Sequence, residues 1–161
     1  MNNEDKVILI SGCLVGIACR YDGMAKEVPE VLSALKGFHL IPFCPETLGG
    51  LVAPRPPAEI VGGDGAAVLD GMAKVLSRTG EDCTAAFIRG AVETLELVKE
   101  INPYCVLLKA RSPSCGVGRI YDGTFSGKLI EGDGVTTALL RRHGVKVYTE
   151  EQILNNQKMF F

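Results

Sequence analysis

The sequence contains no apolar stretch long enough to cross a membrane and no excess of basic charge. A membrane-spanning helix needs about 20 consecutive apolar residues, whereas the longest apolar runs here, such as residues 7–10 and 106–108, are far shorter. The chain has 17 basic and 19 acidic residues and a net charge of −2. This balance does not favour a general nucleic-acid coat, because that function needs a basic face. We therefore expect no membrane association and no DNA or RNA partner.

The beginning of the chain lacks the features of an export signal. Residues 1–6 are polar and partly acidic, and no basic start precedes an apolar segment, as a secretion signal requires. We therefore expect a cytoplasmic protein, in a reducing compartment where disulfides are rare. Six cysteines are then more than packing requires. They indicate a metal site, a cluster or a nucleophile, with some left as small buried apolar residues.

Length and composition predict a single domain over residues 1–161. A chain of 161 residues is close to the usual size of one domain. Its 47% of apolar and 22% of charged residues are typical of globular proteins. At this size one core buries roughly 70% of the surface of the unfolded chain, so disulfides are not needed for stability.

Short apolar runs alternate with helical patterns along the chain. Strands are predicted over residues 6–11, 39–43, 105–109 and 145–148, and helices over 30–36, 79–101, 135–143 and a short segment after 149. Strands that are separated by helices form parallel sheets with right-handed crossovers. The pattern therefore predicts a three-layer α/β domain with a mostly parallel sheet.

A long loop and two short hairpin insertions complete the predicted elements. Residues 49–65 are rich in glycine and proline and are expected to form an ordered loop with no regular element. The Asp-Gly pair at 70–71 predicts a hairpin between residues 66–69 and 74–77, and turn residues predict another over 119–130. Helix-capping residues are expected at 79–82, at Asp133 and, as a capping box, at 149–152.

Three cysteines fall at one edge of the predicted sheet. Cys13 follows the first strand, Cys44 follows the second, and Cys115 lies in the loop after the strand at 105–109. In open α/β sheets, ligands bind beyond the carboxyl ends of the strands. We therefore expect these three thiols to converge on one site.

The spacing of the cysteines bears on what they hold. Structural zinc sites favour Cys-x₂-Cys pairs, and the sequence has none. Well-separated cysteines suit an iron–sulfur cluster, in which each iron takes one protein ligand, and three of them leave the fourth iron of a cubane open as a Lewis acid. From the spacing alone, an iron–sulfur cluster and a set of scattered structural cysteines are equally supported. Cys19 is close enough to Cys13 to compete as a ligand, while Cys83 and Cys105 are expected to be core or surface residues.

Long motifs that occur in order along the chain carry a resemblance to a known family. They are residues 11–23 (SGCLVGIACRYDG), CPE at 44–46 with GGL at 49–51 and PRPPAE at 54–59, KARSPSCG at 109–116 and GDGVT at 132–136. From about residue 6 to residue 147, the chain resembles the bacterial thiouracil desulfurase (desulfidase) family, long catalogued as a domain of unknown function. The resemblance implies a Rossmann-like fold, a 4Fe–4S cluster held by only three cysteines, and non-redox removal of sulfur from thiolated uracil.

The resemblance also implies roles for individual residues. The cluster ligands of the family fall on the three convergent cysteines, its catalytic acidic residue falls on Glu46, and its catalytic serine falls on Ser112, with Ser114 as the second choice. Glu46 is expected to take a proton from the attacking water. Ser112 is expected to orient that water or to stabilise the tetrahedral intermediate. The expected substrate is a small thiolated nucleobase, 2- or 4-thiouracil, although a thionucleoside, a thiolated tRNA base and any oligomeric state stay open.

Two other functions stay open at this point. One is a non-catalytic iron–sulfur or sulfur carrier, for which a fourth ligand such as Cys19 is expected, and the other is a zinc-stabilised binding module. Without the resemblance, Glu46 is interpreted as a solvated loop or helix-start carboxylate, and Ser112 and Ser114 as turn residues.

Charged residues in and near the motifs also have alternative interpretations. Arg20, Asp22 and Arg55 either contact a uracil edge or, as we expect, order the glycine- and proline-rich loop. Lys109 either offsets the charge of the cluster, lines the pocket, or lies on the surface.

Overall fold

The computed structural model describes residues 3–156, and a parallel β-sheet lies at its centre. The strands of these residues are β1 (Val7–Ser11), β2 (His39–Phe43), β3 (Ala58–Val61), β4 (Lys74–Ser77), β5 (Cys105–Leu108), β6 (Arg119–Tyr121), β7 (Leu129–Glu131) and β8 (Val147–Thr149). The α-helices are α1 (Pro29–Ala34), α2 (Pro45–Leu48), α3 (Gly65–Leu69), α4 (Thr84–Ile101), α5 (Val135–Arg142) and α6 (Glu150–Asn155). No helix within residues 3–156 is both long and apolar enough to cross a membrane. Because residues 1–2 and 157–161 lie outside the described residues, one domain over 1–161 stays a prediction.

The central sheet has four strands in the order β2-β1-β5-β8, and each neighbouring pair is parallel. The inner strands β1 and β5 are apolar along most of their length and are buried, as strands covered on both faces must be. The four strands predicted at 6–11, 39–43, 105–109 and 145–148 match those of this sheet to within two residues. The prediction of a mostly parallel α/β sheet is confirmed.

Helices cover both faces of this sheet. Ile8 packs in one apolar cluster with Val31 of α1 and Ile153 of α6. Its neighbour Leu9 faces the other way, because side chains alternate along a strand, and it packs in a second cluster with residues of α4 and α5. The predicted three-layer architecture is therefore confirmed.

The prediction of a loop without regular structure over residues 49–65 is wrong in part. The segment contains β3, which pairs antiparallel with β4. Ile60 of β3 is buried in a third apolar cluster, together with Val75 of β4 and Phe87 of α4. Pairing with a strand that follows later in the chain therefore overrides the local glycine and proline signals.

The prediction of a hairpin over residues 66–77 is also wrong, because residues 66–69 belong to helix α3. Asp64 caps this helix, and its side chain accepts the Ala67 N–H at 3.0 Å. Asp70 and Gly71 close the helix, with the Gly71 N–H donated back into the last turn. An Asp-Gly pair suits both a hairpin turn and the end of a helix, and here it ends the helix.

The long helix α4 begins at Thr84 rather than at residue 79. Residues 78–80 instead form a turn, and residues 81–83 run back along β4, where the Cys83 N–H donates to the Val75 carbonyl at 2.8 Å and the Ser77 Oγ accepts the Glu81 N–H at 3.0 Å. The predicted end of the helix is confirmed, because Asn102 adopts a left-handed conformation there.

The remaining elements confirm two predictions and correct one. The hairpin of β6 and β7 and the capping box at the start of α6 are both present. Asp133, however, does not cap α5, whose capping position is occupied by Gly134. The Asp133 carboxylate instead accepts the Gly118 N–H at 2.8 Å and pairs with Arg141 at 3.0 Å. It therefore ties the hairpin to α5.

Candidate active site

The three cysteines predicted to converge all line one cavity of about 470 Å³ at the carboxyl edge of the sheet. Cys13 lies in a 3₁₀ turn (Gly12–Val15) that directly follows β1. Cys44 is the residue between β2 and α2, and Cys115 lies in the loop that follows β5. Cys13 and Cys115 are buried and Cys44 is partly buried. The parallel topology thus brings three distant segments together, as the sequence predicts.

A fourth cysteine, Cys19, also lines this cavity. Its thiol hydrogen-bonds with those of Cys13 and Cys44, and the bond with Cys13 is the main reason why the pKa of Cys19 is raised. The Cys44 thiol also donates to the Cys19 carbonyl at 3.9 Å. Cys105 begins β5 at the other end of that strand, and Cys83 immediately precedes α4. The expectation that these last two lie in the core or near the surface agrees with their positions.

The donor set fits an iron–sulfur cluster. All six cysteines are free thiols, and burial raises the pKa of the Cys115 thiol to about 12. The pKa of Cys44 is also raised, first by its hydrogen bond with Cys19 and then by burial. Such buried thiols release their protons when they bind a metal. Within residues 3–156, no three His, Cys, Asp or Glu side chains are close enough together to hold a single metal ion. A 4Fe–4S cluster does not need such a group, because each thiolate binds a different iron.

Glu46 projects into the same cavity from the short helix α2. One oxygen, Oε1, accepts from the Arg55 guanidinium at 3.1 Å and 3.3 Å, and the other, Oε2, accepts from the Ser114 hydroxyl at 3.1 Å. Arg55 is itself well buried, with its side chain only 8% exposed. It also donates to the carbonyls of Val52 and Cys19. Arg55 therefore orders the surrounding loop, as expected, and fixes the Glu46 carboxylate as well.

The position of α2 depends on a close approach to α4. A Cβ atom added at Gly90 of α4 would lie 2.1 Å from the Pro45 carbonyl oxygen, so this contact has no room for a side chain. Glycine in the middle of a helix costs about 1 kcal/mol relative to alanine. The close packing offsets this cost and holds the helix that carries Glu46 against the core. Gly90 is not among the residues that the sequence predicts to be functional.

The two candidate serines have different surroundings. The Ser112 Oγ accepts the Cys115 N–H at 2.7 Å, and Ser112 lines the cavity. Ser114 is 1% exposed, and its hydroxyl lies 3.2 Å from the Ser112 Oγ and 3.3 Å from the Cys115 Sγ. A carboxylate can only accept, so Ser114 donates its proton to Glu46, and the Ser112 hydroxyl then donates to Ser114. This chain of hydrogen bonds links the cysteine loop to the carboxylate.

The basic residue after β5 has a buried partner that the sequence analysis missed. Lys109 lines the cavity, and its Nζ lies 2.7 Å from the Glu150 Oε1. Glu150 is 4% exposed, and its Oε2 accepts the Ala110 N–H at 2.8 Å. The Lys109 backbone N–H in turn donates to the Ser11 Oγ at 3.1 Å. This network joins the ends of β1 and β5. The sequence does not single out Glu150 as a partner of Lys109, because its position within the predicted capping box at 149–152 already accounts for an acidic residue there.

Residues from the insertions also line the cavity. They are Glu59 of β3, Tyr121 at the end of β6, and Phe125 and Gly127 from the loop between β6 and β7. We call these four residues the outer wall. The only signal for it in the sequence is the position of Glu59 at the end of the PRPPAE motif.

Comparisons with known proteins give three findings. The model of a family described as 2-thiouracil desulfurase matches residues 8–152. The protein YbbK of Bacillus subtilis (strain 168), described as uncharacterized, is 48% identical over 147 residues, which cover 91% of this chain and 97% of that protein. The solved structure of the 4Fe–4S-dependent thiouracil desulfidase TudS (DUF523Vcz) is 42% identical, with a TM-score of 0.78, and the match covers 94% of this chain and 95% of that one.

Proposed function

The chain belongs to the 2-thiouracil desulfurase family, and on this premise we propose how its own residues remove sulfur from thiolated uracil. It is an iron–sulfur enzyme, and its reaction converts thiouracil and water into uracil and hydrogen sulfide. The ring carbon exchanges its sulfur for oxygen without a change in oxidation state, so no electron donor is needed. A non-catalytic carrier is not favoured by the family or by the structural match.

Cys13, Cys44 and Cys115 would hold the 4Fe–4S cluster. Their positions after β1, β2 and β5, their free thiols and their shared cavity support this assignment. When bound through three cysteines, the cluster supplies an iron without a protein ligand, which as a soft Lewis acid polarises the carbon–sulfur bond.

Glu46 would act as the general base. Its carboxylate takes a proton from a water molecule as the water oxygen forms a bond with the ring carbon that carries the sulfur. Arg55 and Ser114 hold the two carboxylate oxygens. Because each oxygen has about two acceptor positions, the carboxylate keeps room for the water. The second proton of the water then moves from the hydroxyl group of the intermediate to the sulfur, as the carbon–oxygen double bond forms and the carbon–sulfur bond breaks. Sulfur departs as hydrosulfide, which takes the proton held by Glu46 and leaves as hydrogen sulfide.

The two serines would have different roles, one at the reacting atoms and one in positioning Glu46. Ser112 lines the cavity, so its hydroxyl can turn from Ser114 towards the attacking water or the oxygen of the tetrahedral intermediate. Ser114 is buried and keeps its bond to Glu46. Ser112 is thus the catalytic serine and Ser114 a positioning residue. The observation that carries the proposed function is that a carboxylate with both oxygens fixed lies in the same cavity as three free, convergent thiols.

The proposed substrate is a small thiolated uracil in the bacterial cytoplasm. The near-neutral net charge of −2 supports a small molecule rather than a nucleic acid. The free state of all six cysteines supports a reducing compartment, and the match to a Bacillus subtilis protein supports a bacterial source.

An anaerobic turnover assay tests the proposed function. Protein reconstituted with iron and sulfide is incubated with 2-thiouracil or 4-thiouracil, and uracil and released sulfide are both quantified. We expect the two products in equal amounts, and none from the same protein before reconstitution. Binding of thiouracil without release of uracil and sulfide contradicts the proposal.

A further inference from the structure

The outer wall of the cavity contains a buried carboxylate that the proposed reaction does not use. Glu59 is 8% exposed and lines the cavity. Along β3, its neighbour Ile60 faces the third apolar cluster, so the Glu59 side chain lies on the other side of the strand. None of the ion pairs within residues 3–156 involves Glu59.

One oxygen of Glu59 is occupied and the other is not. The Oε1 atom accepts the Gly123 N–H at 3.0 Å and the Phe125 N–H at 3.1 Å, which fixes the side chain against the loop between β6 and β7. The Oε2 atom has no hydrogen-bond partner among the described residues. It keeps contact with solvent, because the one fully buried side-chain oxygen or nitrogen without a partner in that part of the chain is the Thr136 Oγ1. An N–H donor of a ligand within the cavity can therefore replace water at this acceptor.

The loop that Glu59 holds brings an aromatic side chain to the same place. Phe125 has a φ of 55°, a left-handed conformation that is uncommon for a bulky residue and that the two bonds to Glu59 help to maintain. The Phe125 ring is half-buried, and the Arg78 guanidinium lies 5.6 Å from its centre. A flat heterocycle that enters the cavity thus finds an aromatic ring, a carboxylate and the cysteines among the residues that line it.

We propose that Glu59 is a substrate-binding residue whose Oε2 accepts a ring N–H of thiouracil and so directs the sulfur of the ring towards the cysteines. This inference rests on the proposed function and names its specificity determinant. Uracil and thiouracil carry two ring N–H groups, and a carboxylate can accept from either but repels a ring nitrogen that lacks a proton. Glu59 therefore selects rings that keep the N–H at the position it contacts.

Glu59→Gln separates this role from support of the loop. The amide oxygen of glutamine still accepts the two backbone N–H groups, while its NH₂ group replaces the acceptor that faces the cavity. We expect kcat/KM for 4-thiouracil to fall about 10- to 100-fold, mainly through KM. The unfolding midpoint and the absorbance of the reconstituted cluster stay unchanged. Glu93→Gln, an exposed position on α4, is the matched control and leaves all these quantities unchanged.

Methylated substrates identify the contact itself. With the wild-type protein, either 1-methyl- or 3-methyl-4-thiouracil should lose a similar factor in kcat/KM, because methylation removes the N–H that Glu59 accepts. With Glu59→Gln, the same analogue should show no further loss. A Glu59→Gln variant with unchanged KM overturns the proposal. The proposal is also overturned if Glu59→Gln lowers kcat/KM by the same factor for 4-thiouracil and for both methylated substrates. A fall in the unfolding midpoint of the variant overturns it too, because either result indicates a structural role.

Binding of uracil separates this proposal from the proposed function. The product keeps both ring N–H groups, so its Kd for the reconstituted protein, measured by calorimetry, should rise about 10- to 100-fold in Glu59→Gln. If uracil binding shows this effect but wild-type turnover is absent, the proposed function fails and the role of Glu59 stands. If wild-type turnover is present and neither KM nor Kd changes in the variant, only the role of Glu59 fails. If the wild-type protein neither binds uracil nor shows turnover, both proposals are rejected.

Discussion

The two walls of the cavity differ in how the chain builds them. Cys13, Cys44 and Cys115 form one of them, the cysteine wall, and they follow β1, β2 and β5, which are neighbours in one parallel sheet. The outer wall is carried by β3 and by the loop between β6 and β7, which belong to two separate two-stranded sheets. Glu59 joins these two insertions through its bonds to Gly123 and Phe125. We infer that the sheet edge supplies the chemistry and the insertions supply selectivity.

The largest effect is expected from the ligands on the cysteine wall. Replacement of Cys13, Cys44 or Cys115 by serine should abolish both cluster loading and turnover, because each thiolate is one of only three that hold the cluster. Cys83→Ser, outside the cavity, is the matched control and should load normally. Iron and acid-labile sulfide content after anaerobic reconstitution measures the outcome. Normal loading in any of the three variants contradicts the assignment of that ligand.

Glu46→Gln should lower kcat by roughly 10²- to 10⁴-fold, because the amide cannot take a proton from water. The variant keeps acceptor and donor atoms near Arg55 and Ser114, so cluster absorbance should be retained. Single-turnover release of uracil measures the chemical step. A variant with an intact cluster and full turnover would remove the base from the mechanism.

A change on the outer wall should act mainly on substrate binding. At Gly123, φ is 90° and an added Cβ atom would lie 2.6 Å from the Ile60 carbonyl oxygen. Gly123→Ala should therefore displace the loop from Glu59, raise KM roughly 10-fold and lower the free energy of unfolding by about 1–3 kcal/mol. Gly80→Ala is the control, because its φ of 89° imposes a similar strain with no atom within 4 Å of the added Cβ. An unchanged KM in Gly123→Ala contradicts the division of roles between the walls.

The smallest effect is expected at Cys19. Its thiol contacts those of Cys13 and Cys44 but is not one of the three assigned ligands. Cys19→Ser should keep the iron content and change turnover by no more than about threefold, because a thiol hydrogen bond is weak. Loss of iron from this variant would identify Cys19 as a fourth ligand and favour a carrier over an enzyme.

The sequence predicts the cysteine wall well and the outer wall poorly, for a physical reason. Apolar runs mark the buried strands of a parallel sheet, and the carboxyl ends of such strands share one edge. This is sufficient to place Cys13, Cys44 and Cys115 together. The resemblance to a family then adds Glu46 and Ser112, whose roles remain proposals.

The features of the site that could not be predicted from the sequence depend on contacts between segments that are far apart in the chain. The bond from Ser114 to Glu46 spans 68 residues, and the bond from Phe125 to Glu59 spans 66. No local pattern encodes such a pair. The errors in the insertions have a similar origin, because β3 is a strand only through its pairing with β4. The Asp70-Gly71 pair is compatible with a hairpin turn and with the end of a helix. It ends a helix here, because the residues before it form α3.

We propose above that three cysteines hold a 4Fe–4S cluster with one iron accessible to the substrate. The most direct test is to record Mössbauer spectra of the ⁵⁷Fe-reconstituted wild-type protein under anaerobic conditions, before and after addition of 4-thiouracil. We expect the signal of a single iron to change on addition of the substrate, while the other iron signals of the cluster stay the same. Spectra of a fully formed cluster that do not change with saturating 4-thiouracil would show that no iron of the cluster binds the substrate.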